Sequence, residues 1–259
     1  MDILLKERLV SYYEKHILED VMPFWDRRCI DKEYGGYITC FDREGKMTDD
    51  KKYIWFQGRQ LYIYSLLYNK VRKKKEWLEN AKHGFSFLVK YGYAGDGRWN
   101  YVLDRKGNVL EGTISIFSDF HVLQGVAEYL KIEEVRTPEN MELLKTCYET
   151  MEKNVFDPWF KETNSLWNEK VWWPNAEALT AYAQAYCYTK DSYFLQEFLD
   201  QHNYCKEKFF DSQYKEWFER LEYDGTVKNS AKGTPWKCAF HLVRALVFTL
   251  EAFSEMEAV

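Results

Sequence analysis

Three segments of the chain share a pattern in which two large apolar residues and a glycine are spaced four residues apart. The second copy begins 62 residues after the first, and the third begins 180 residues after the first. A looser fourth segment, from Trp159 to Trp167, falls midway between the second and third copies. A recurring spacing of this kind predicts about four units of roughly sixty residues that share one core. The three clear copies are Tyr37, Phe41 and Gly45; Trp99, Leu103 and Gly107; and Trp217, Leu221 and Gly225.

The repeated segments alternate in polarity and turn at a glycine, as β-hairpins do, and helical patterns separate them. We predict hairpins at 35–48, 98–112, 159–170 and 217–229. We predict eight helices, at 3–22, 54–71, 76–91, 114–131, 138–153, 174–189, 191–207 and 237–255.

The helix after each hairpin is apolar almost all round, which is typical of a helix buried on most sides, and the other four carry a clearer polar face. This alternation predicts an all-α fold, an α/α toroid with inner and outer helices and with short hairpins gathered at one end. The first helix and the last inner helix would pair and close the ring. We expect residues 1–259 to form a single domain.

The bulk composition excludes several classes of protein. A net charge of −5 gives no basis for binding nucleic acid or an anionic membrane. The six cysteines show no C-x-x-C motif, which favours reduced thiols in a cytoplasmic protein. The N-terminal segment lacks the features of a signal peptide, and no apolar run is long enough to span a membrane.

The first turns of the four inner helices are predicted to meet at the mouth of a funnel and to form a site. Aromatic faces there would match the apolar face of a sugar ring, Arg and Glu would bind hydroxyl groups, and a histidine could move a proton. Each residue taken alone also fits a structural role, such as a buried core histidine or a glutamate that favours a helix N-terminus. The candidates are Trp55, Arg59, Ser118, His121, Trp172, Trp173, Glu177, Trp236, His241 and Arg244.

Other chemistries are poorly supported by the sequence. There is no dinucleotide-binding, P-loop or nucleophile-elbow motif, so no cofactor is expected. The five histidines lack metal-ligand spacing, so no metal is expected either. A glycosidase would need two carboxylates across the scissile bond; Asp119 and Glu177 are candidates, although nothing marks them as a pair.

At these residues the chain resembles the N-acylglucosamine 2-epimerase family, which includes renin-binding proteins, cellobiose 2-epimerases and related aldose–ketose isomerases. The resemblance rests on residues 33–53, 51–68, 116–129, 171–179 and 216–246, with the QGR, WWP-x-x-E and K-x-x-F-H-x-x-R motifs in one order. It implies that His241 is a catalytic base, that Arg59 steadies a substrate oxygen and that Glu177 is the glutamate of the second motif. The remaining candidates would bind the sugar.

The resemblance also implies that two hairpin–helix repeats are missing between residues 153 and 155. Family members have a barrel of six helix pairs, whereas this chain has about eight helices in all. The missing part includes the inner helix that carries the family's second catalytic histidine. His121 stands where an aromatic residue is expected, either as a replacement base or as a packing residue that faces Ser118.

We therefore predict an isomerase: a sugar 2-epimerase or aldose–ketose isomerase that acts on a free reducing sugar of the N-acylglucosamine, N-acylmannosamine or mannose type. His241 would transfer the C2 proton through an enediolate, and a single base makes isomerisation easier to explain than epimerisation. The alternative is a catalytically impaired remnant that binds carbohydrate or a partner. Apolar edges left exposed by the shortened ring would favour a partner such as a second copy of the chain, giving a homodimer.

Overall fold

A computed structural model describes residues 2–153 and 169–255. The prediction of an all-α fold is confirmed, because helices make up most of the described chain and the strands are only two or three residues long. The helices are α1 (Ile3–Lys15), α2 (Met22–Arg28), α3 (Ile54–Leu66), α4 (Lys75–Phe87), α5 (Ile116–Tyr129), α6 (Pro138–Lys153), α7 (Trp172–Thr189), α8 (Ser192–Tyr204) and α9 (Phe240–Glu255).

Several helix ends differ from the predicted ones. Pro23 was expected to follow the end of the first helix, but a π-helical turn at His16–Val21 joins α1 to α2 without a break. The wider turn accommodates the missing amide hydrogen of the proline, so the helix continues to Arg28. Counted as one, α1 and α2 bring the described helices to the eight expected. Similar π-helical turns extend α3 to Val71, α4 to Gly92 and α8 to Phe209.

The three clear repeats fold into the same hairpin turn. Gly45, Gly107 and Gly225 have φ angles of +84°, +98° and +88°, a left-handed conformation that favours glycine. In each copy the carbonyl oxygen of the residue three before the glycine accepts a hydrogen bond from the glycine N–H. The N–H of that same residue donates a hydrogen bond to the carbonyl oxygen of the residue directly after the glycine. The predicted hairpin at 159–170 lies almost entirely outside the described residues. The strands are β1 (Cys40–Phe41), β2 (Met47–Asp49), β3 (Lys52–Tyr53), β4 (Tyr93–Gly95), β5 (Arg98–Trp99), β6 (Val102–Leu103), β7 (Val109–Glu111), β8 (Glu169–Val171), β9 (Arg220–Glu222) and β10 (Val227–Asn229).

The strands link each unit to the next one. The strand before α3 pairs with the second hairpin, in the order β3-β6-β7, and the strand before α7 pairs with the last hairpin, in the order β8-β9-β10. The segment before α9 pairs with the first hairpin, through Gly233 and Phe41. The fourth unit is therefore attached to the first in the same way as the first is attached to the second.

Two buried aspartates reinforce these junctions with the same set of contacts. Asp31 accepts hydrogen bonds from Lys52 Nζ at 2.9 Å and from Arg105 Nε at 3.0 Å. Asp211 accepts equivalent bonds from Lys232 Nζ at 3.2 Å and from Arg43 Nε at 2.7 Å. In both cases the lysine belongs to the same unit and the arginine to the hairpin of the following one, which joins the last unit to the first.

The inner helices α3, α5, α7 and α9 form the wall of the toroid. α3 packs against α5 and α9, α9 packs against α7, and α1 packs against α9 as the ring-closure prediction required. Within the described residues α5 and α7 share no contact of comparable extent. This is the place at which the sequence predicts that two repeats are missing.

The backbones of α3 and α5 approach each other very closely at two glycines. A Cβ atom added to Gly125 would lie 2.3 Å from the carbonyl oxygen of Gly58, and one added to Gly58 would lie 2.6 Å from the backbone of His121. No real Cβ atom is found at such distances, so glycine is required at both positions. The contact aligns Arg59 on α3 with His121 on α5.

Replacement of Gly125 by alanine is therefore expected to destabilise the protein by about 2 kcal/mol, since backbone crowds the methyl group and cannot yield as a side chain would. This loss exceeds the gain in helix propensity of about 1 kcal/mol. Urea unfolding followed by circular dichroism measures it. Gly112→Ala is the matched control, because its Cβ would meet only Asn100 Oδ1 at 4.0 Å. Equal stability of the two variants would contradict the close approach of the helices.

Candidate active site

The N-terminal turns of α7 and α9 bring together a histidine, a glutamate and an arginine. Glu177 accepts a hydrogen bond at 2.8 Å from His241 Nδ1 through one carboxylate oxygen, and its other oxygen accepts a bond from Arg244 Nη2. The side chains are about a fifth to a quarter exposed, so a small molecule can reach them. The three residues thus form a hydrogen-bonded cluster that is partly open to solvent.

The charges in this cluster fix the protonation state of His241. Burial raises the pKa of Glu177, but the hydrogen bonds from His241 and Arg244 outweigh it and bring that pKa below its usual value. Burial lowers the pKa of His241, assisted by Arg59 and Arg244 and opposed by Glu177. The imidazole is therefore neutral near pH 7, and the ionised carboxylate requires its proton to be on Nδ1. His241 Nε2 then carries a free lone pair and can act as a base.

Arg59 lies at the other side of the cluster, on α3. Its guanidinium stacks over the rings of Trp55, Phe56 and Phe240 at 5.2–6.0 Å, and Nη2 donates a hydrogen bond at 2.9 Å to His121 Nε2. No carboxylate among residues 2–153 and 169–255 forms an ion pair with it. Arg59 therefore contributes a partly buried positive charge that a developing oxyanion could compensate.

Phe240, at the start of α9, places Arg59 and Arg244 close together. The guanidinium carbons of the two arginines lie 5.2 and 5.5 Å from the centroid of its ring. The adjacent His241 follows Phe240 directly in the sequence. Arg59, Glu177 and the pair His241 and Arg244 are remote from one another in sequence but share one region at the N-terminal ends of the inner helices.

His121 and Ser118, on α5, are both buried. Burial and the neighbouring charge of Arg59 lower the pKa of His121 to about 2, so it stays neutral. Its Nε2 accepts the bond from Arg59. Within the described part of the chain the Oγ atom of Ser118 has no hydrogen-bond partner, so the structure supports neither a Ser118–His121 hydrogen bond nor a solvent-facing serine.

The four predicted tryptophans fall into two groups. Trp173 and Trp236 are 45% and 58% exposed, and the Trp173 ring lies 5.5 Å from that of His241. Trp55 and Trp172 are nearly fully buried, and their indole N–H groups have no hydrogen-bond partner among residues 2–153 and 169–255. The exposed pair therefore offers the faces on which a sugar could stack, whereas the buried pair forms the wall behind them.

The sequence did not identify Phe240 and Tyr62 as residues of the site, and it offered Asp119 only as a candidate carboxylate of a glycosidase. Tyr62 contacts Phe240 with ring centroids 5.4 Å apart, and its helical spacing from Trp55 and Arg59 could have placed it on the same face. Asp119 holds strand β5, because it accepts hydrogen bonds from Arg98 Nε at 2.7 Å and from Trp99 N at 2.8 Å. The start of the last helix was also predicted too early, because α9 begins at Phe240 and not at residue 237.

The described part of the chain contains no group of three side chains able to hold a metal ion. None of the six cysteines is in a disulfide. Likewise, among these residues no helix is both long enough and apolar enough to cross a membrane.

Comparison with known proteins identifies the family of this chain. The family model for N-acylglucosamine 2-epimerase matches residues 36–170 and 159–245. A solved structure described as a sugar epimerase from a ruminal bacterium superposes with a TM-score of 0.84 at 15% identity, over 96% of this chain and 100% of that one. This structural likeness supports the toroid fold.

Two curated relatives match at the level of sequence. The N-acylglucosamine 2-epimerase of Bos taurus is 22% identical over 379 aligned positions, which span 92% of this chain and 90% of the relative. The cellobiose 2-epimerase of Dictyoglomus turgidum is 30% identical over 169 positions, which span 62% of this chain and 42% of the relative. Because 379 positions exceed the 259 residues of this chain by 120, at least that many positions of the bovine protein have no counterpart here, as expected if two repeats are missing. The chain belongs to the N-acylglucosamine 2-epimerase family.

Proposed function

We propose that this protein is an aldose–ketose isomerase that acts on a free reducing sugar with a hydroxyl group at C2. The observation that carries the proposal is the bond between His241 Nδ1 and Glu177, which leaves Nε2 of a neutral imidazole available as a base. The family membership supports sugar chemistry at C2, since the curated relatives are named as 2-epimerases.

In the proposed reaction the sugar ring is open and His241 Nε2 takes the proton from C2. The electron pair of the broken C2–H bond forms a C1=C2 double bond, and the carbonyl pair moves onto O1 to give an enediolate. The proton on His241 then returns to C1, O2 loses its proton as the C2=O2 bond forms, and O1 gains one. The sum is a ketose with no net change in atoms or electrons, so no cofactor is required.

The positive charges of the cluster suit the enediolate. Arg59 has no carboxylate partner among the described residues, so its guanidinium is the group best able to stabilise the oxyanion on O1. Arg244 is bound to Glu177 and holds that carboxylate against His241. The exposed faces of Trp173 and Trp236 suit the apolar face of the sugar.

Isomerisation is favoured over epimerisation because only one base is supported. Inversion at C2 needs a proton from the opposite face, and the other histidine of the cluster, His121, uses Nε2 to accept a bond from Arg59. A single base on one face can still carry a proton from C2 to C1. An N-acylamino sugar has nitrogen in place of the C2 hydroxyl and cannot become a ketose, which favours mannose, glucose or cellobiose as the substrate class.

Proton NMR in deuterated water tests this proposal. The protein is incubated with mannose, glucose, cellobiose and N-acetylmannosamine in turn. We expect loss of the aldose C2–H signal and appearance of a ketose, either labelled with deuterium at C1 or retaining the transferred proton. Appearance of the C2-inverted aldose without ketose would identify an epimerase, and no change with any of these sugars would overturn the proposal.

A second function, sugar or partner binding without catalysis, is favoured by one observation. Helices α5 and α6 leave an apolar groove of about 530 Å³ on the side of the toroid where α5 lacks contact with α7, and Phe120 in this groove is 46% exposed. Such a surface suits a protein partner. Sugar-dependent quenching of tryptophan fluorescence without exchange at C2 would favour this alternative.

Glu177→Gln is expected to slow the exchange roughly 10- to 100-fold, as removal of a partner that orients a functional histidine does at metal sites. The amide lacks the negative charge that holds the proton on His241 Nδ1, and its loss lowers the pKa of His241 further. The acid limb of the rate profile should therefore move to lower pH. A Glu177→Gln variant with unchanged rate and unchanged profile would show that the carboxylate does not orient the base.

A further inference from the structure

The contact between Arg59 and His121 has no role in the reaction as proposed above. The two residues hold the same place in consecutive repeats: each is the sixth residue of its inner helix, and they are 62 residues apart. The close approach of α3 and α5 at Gly58 and Gly125 brings the side chains within 2.9 Å of each other. The contact is therefore built into the packing of two inner helices.

Only one direction of the hydrogen bond is chemically allowed. An arginine side chain has donors and no acceptor, so His121 Nε2 must accept and the imidazole proton must be on Nδ1. His121 Nε2 is then occupied and cannot take a proton from a sugar. This geometry excludes His121 as a direct replacement for the missing second base while the contact is intact.

Arg59 has few other means of holding its position. Its remaining contacts with the residues that the structure describes are the faces of Trp55, Phe56 and Phe240, which attract the cation but do not fix its rotation. Its Nε atom has no hydrogen-bond partner among the same residues. A guanidinium held by stacking alone can turn within its plane. The bond to His121 is the one polar contact in the described residues that sets this orientation.

We propose that His121 is a positioning residue that holds the Arg59 guanidinium toward the oxyanion of the reacting sugar. This proposal rests on the proposed function for the catalytic consequence, but the positioning itself is a property of the protein without substrate. A neutral acceptor suits the task because it fixes the cation without cancelling its charge, as a carboxylate would.

The orientation of Arg59 can be read from the titration of His241. The charged and titratable groups that face His241 are Glu177 on α7, Arg59 on α3 and Arg244 on α9 itself, and His121 on α5 faces it as a neutral ring. Arg59 lowers the pKa of His241 and Glu177 raises it. If Arg59 turns away, the pKa of His241 must rise.

The test compares His121→Phe, which keeps a ring among Phe117, Phe120 and Phe240 but removes the acceptor, with His121→Gln, which restores an acceptor. NMR titration of the His241 ring protons should show a higher pKa in His121→Phe than in the wild type, because a cation that lowers this pKa has turned away. Arg59→Ala should raise it at least as much, and His121→Gln should return it toward the wild-type value. An unchanged pKa in His121→Phe or in Arg59→Ala would overturn the proposal.

A measurement on the wild-type protein tests the Arg59–His121 contact even if a variant fails to fold. The ¹⁵N shifts of His121 should show a protonated Nδ1 and an unprotonated Nε2 throughout pH 5–9, since burial and Arg59 keep it neutral. Titration of His121 in this range, or a proton on Nε2, would refute the contact. Both NMR readouts are independent of catalysis, so they can succeed even if no sugar reacts. If a sugar does react, His121→Phe should lower kcat about tenfold with little change in KM.

Discussion

Replacement of His241 by asparagine is expected to slow exchange of the sugar C2 proton by a factor of about 10²–10⁴, the usual contribution of a positioned general base. Asparagine can still bond to Glu177 but has no lone pair basic enough to take the proton. The structure makes the effect specific to this residue, because the other histidine of the cluster is occupied by Arg59. The rate of deuterium incorporation at C2 of the sugar, followed by NMR, measures this effect.

His83→Gln is the matched control for that experiment. His83 lies on the outer helix α4, where its Nε2 contacts the carbonyl oxygen of Asp31. Among the described residues α4 packs mainly against α3 and shares no extensive contact with α7 or α9, which carry the cluster. The exchange rate of this variant should equal that of the wild type. An equal loss in both variants would show that the effect is on folding, and an undiminished rate in His241→Asn would show that another group is the base.

The repeat was predictable from sequence because its hairpin is specified locally. A glycine at the left-handed position of each turn, with an apolar residue four before it, is enough to define the hairpin without knowledge of the rest of the chain. The structure confirms Gly45, Gly107 and Gly225 in one conformation. The order of the units around the ring follows from contacts between units, such as Arg43 with Asp211, and no local pattern reveals these.

Helix ends were less predictable, since each depends on a tertiary interaction. The start of α9 was placed at Lys237, but this residue is held in a turn with Thr234 and its side chain is buried against Glu216. The helix therefore begins at Phe240, and His241 lies in its first turn. Similarly, the π-helical turn before α2 could not be anticipated from Pro23 alone.

The candidate site was predicted in part. The motifs indicated Arg59, Glu177 and His241, and the structure brings their helix ends together. Phe240 was missed because an aromatic residue on an apolar helix is indistinguishable in sequence from ordinary core packing. Its contact with two guanidinium groups becomes visible only in the structure.

The second large effect concerns the segment that positions His241. Lys237 and Glu216 are both fully buried, and Lys237 Nζ donates hydrogen bonds to the Glu216 carboxylate and to the Lys232 carbonyl oxygen. Lys237→Met removes the partner of a buried carboxylate, and breaking such a pair from one side costs about 3–5 kcal/mol. We expect a loss of that size in the free energy of unfolding, measured by urea titration.

A double-variant cycle separates the pair from its surroundings. Lys237→Met combined with Glu216→Leu removes both charges and should recover most of the lost stability, because an apolar pair of similar volume often replaces a buried ion pair without penalty. Lys145→Gln is the control for loss of a lysine charge: its contact with Glu149 is 4.0 Å long and exposed, so the expected change is below about 1 kcal/mol. If the double variant were no more stable than Lys237→Met, the cost would lie in lost packing around the lysine stem. In that case the buried charge of Glu216 would not be what ties the last hairpin to the start of α9.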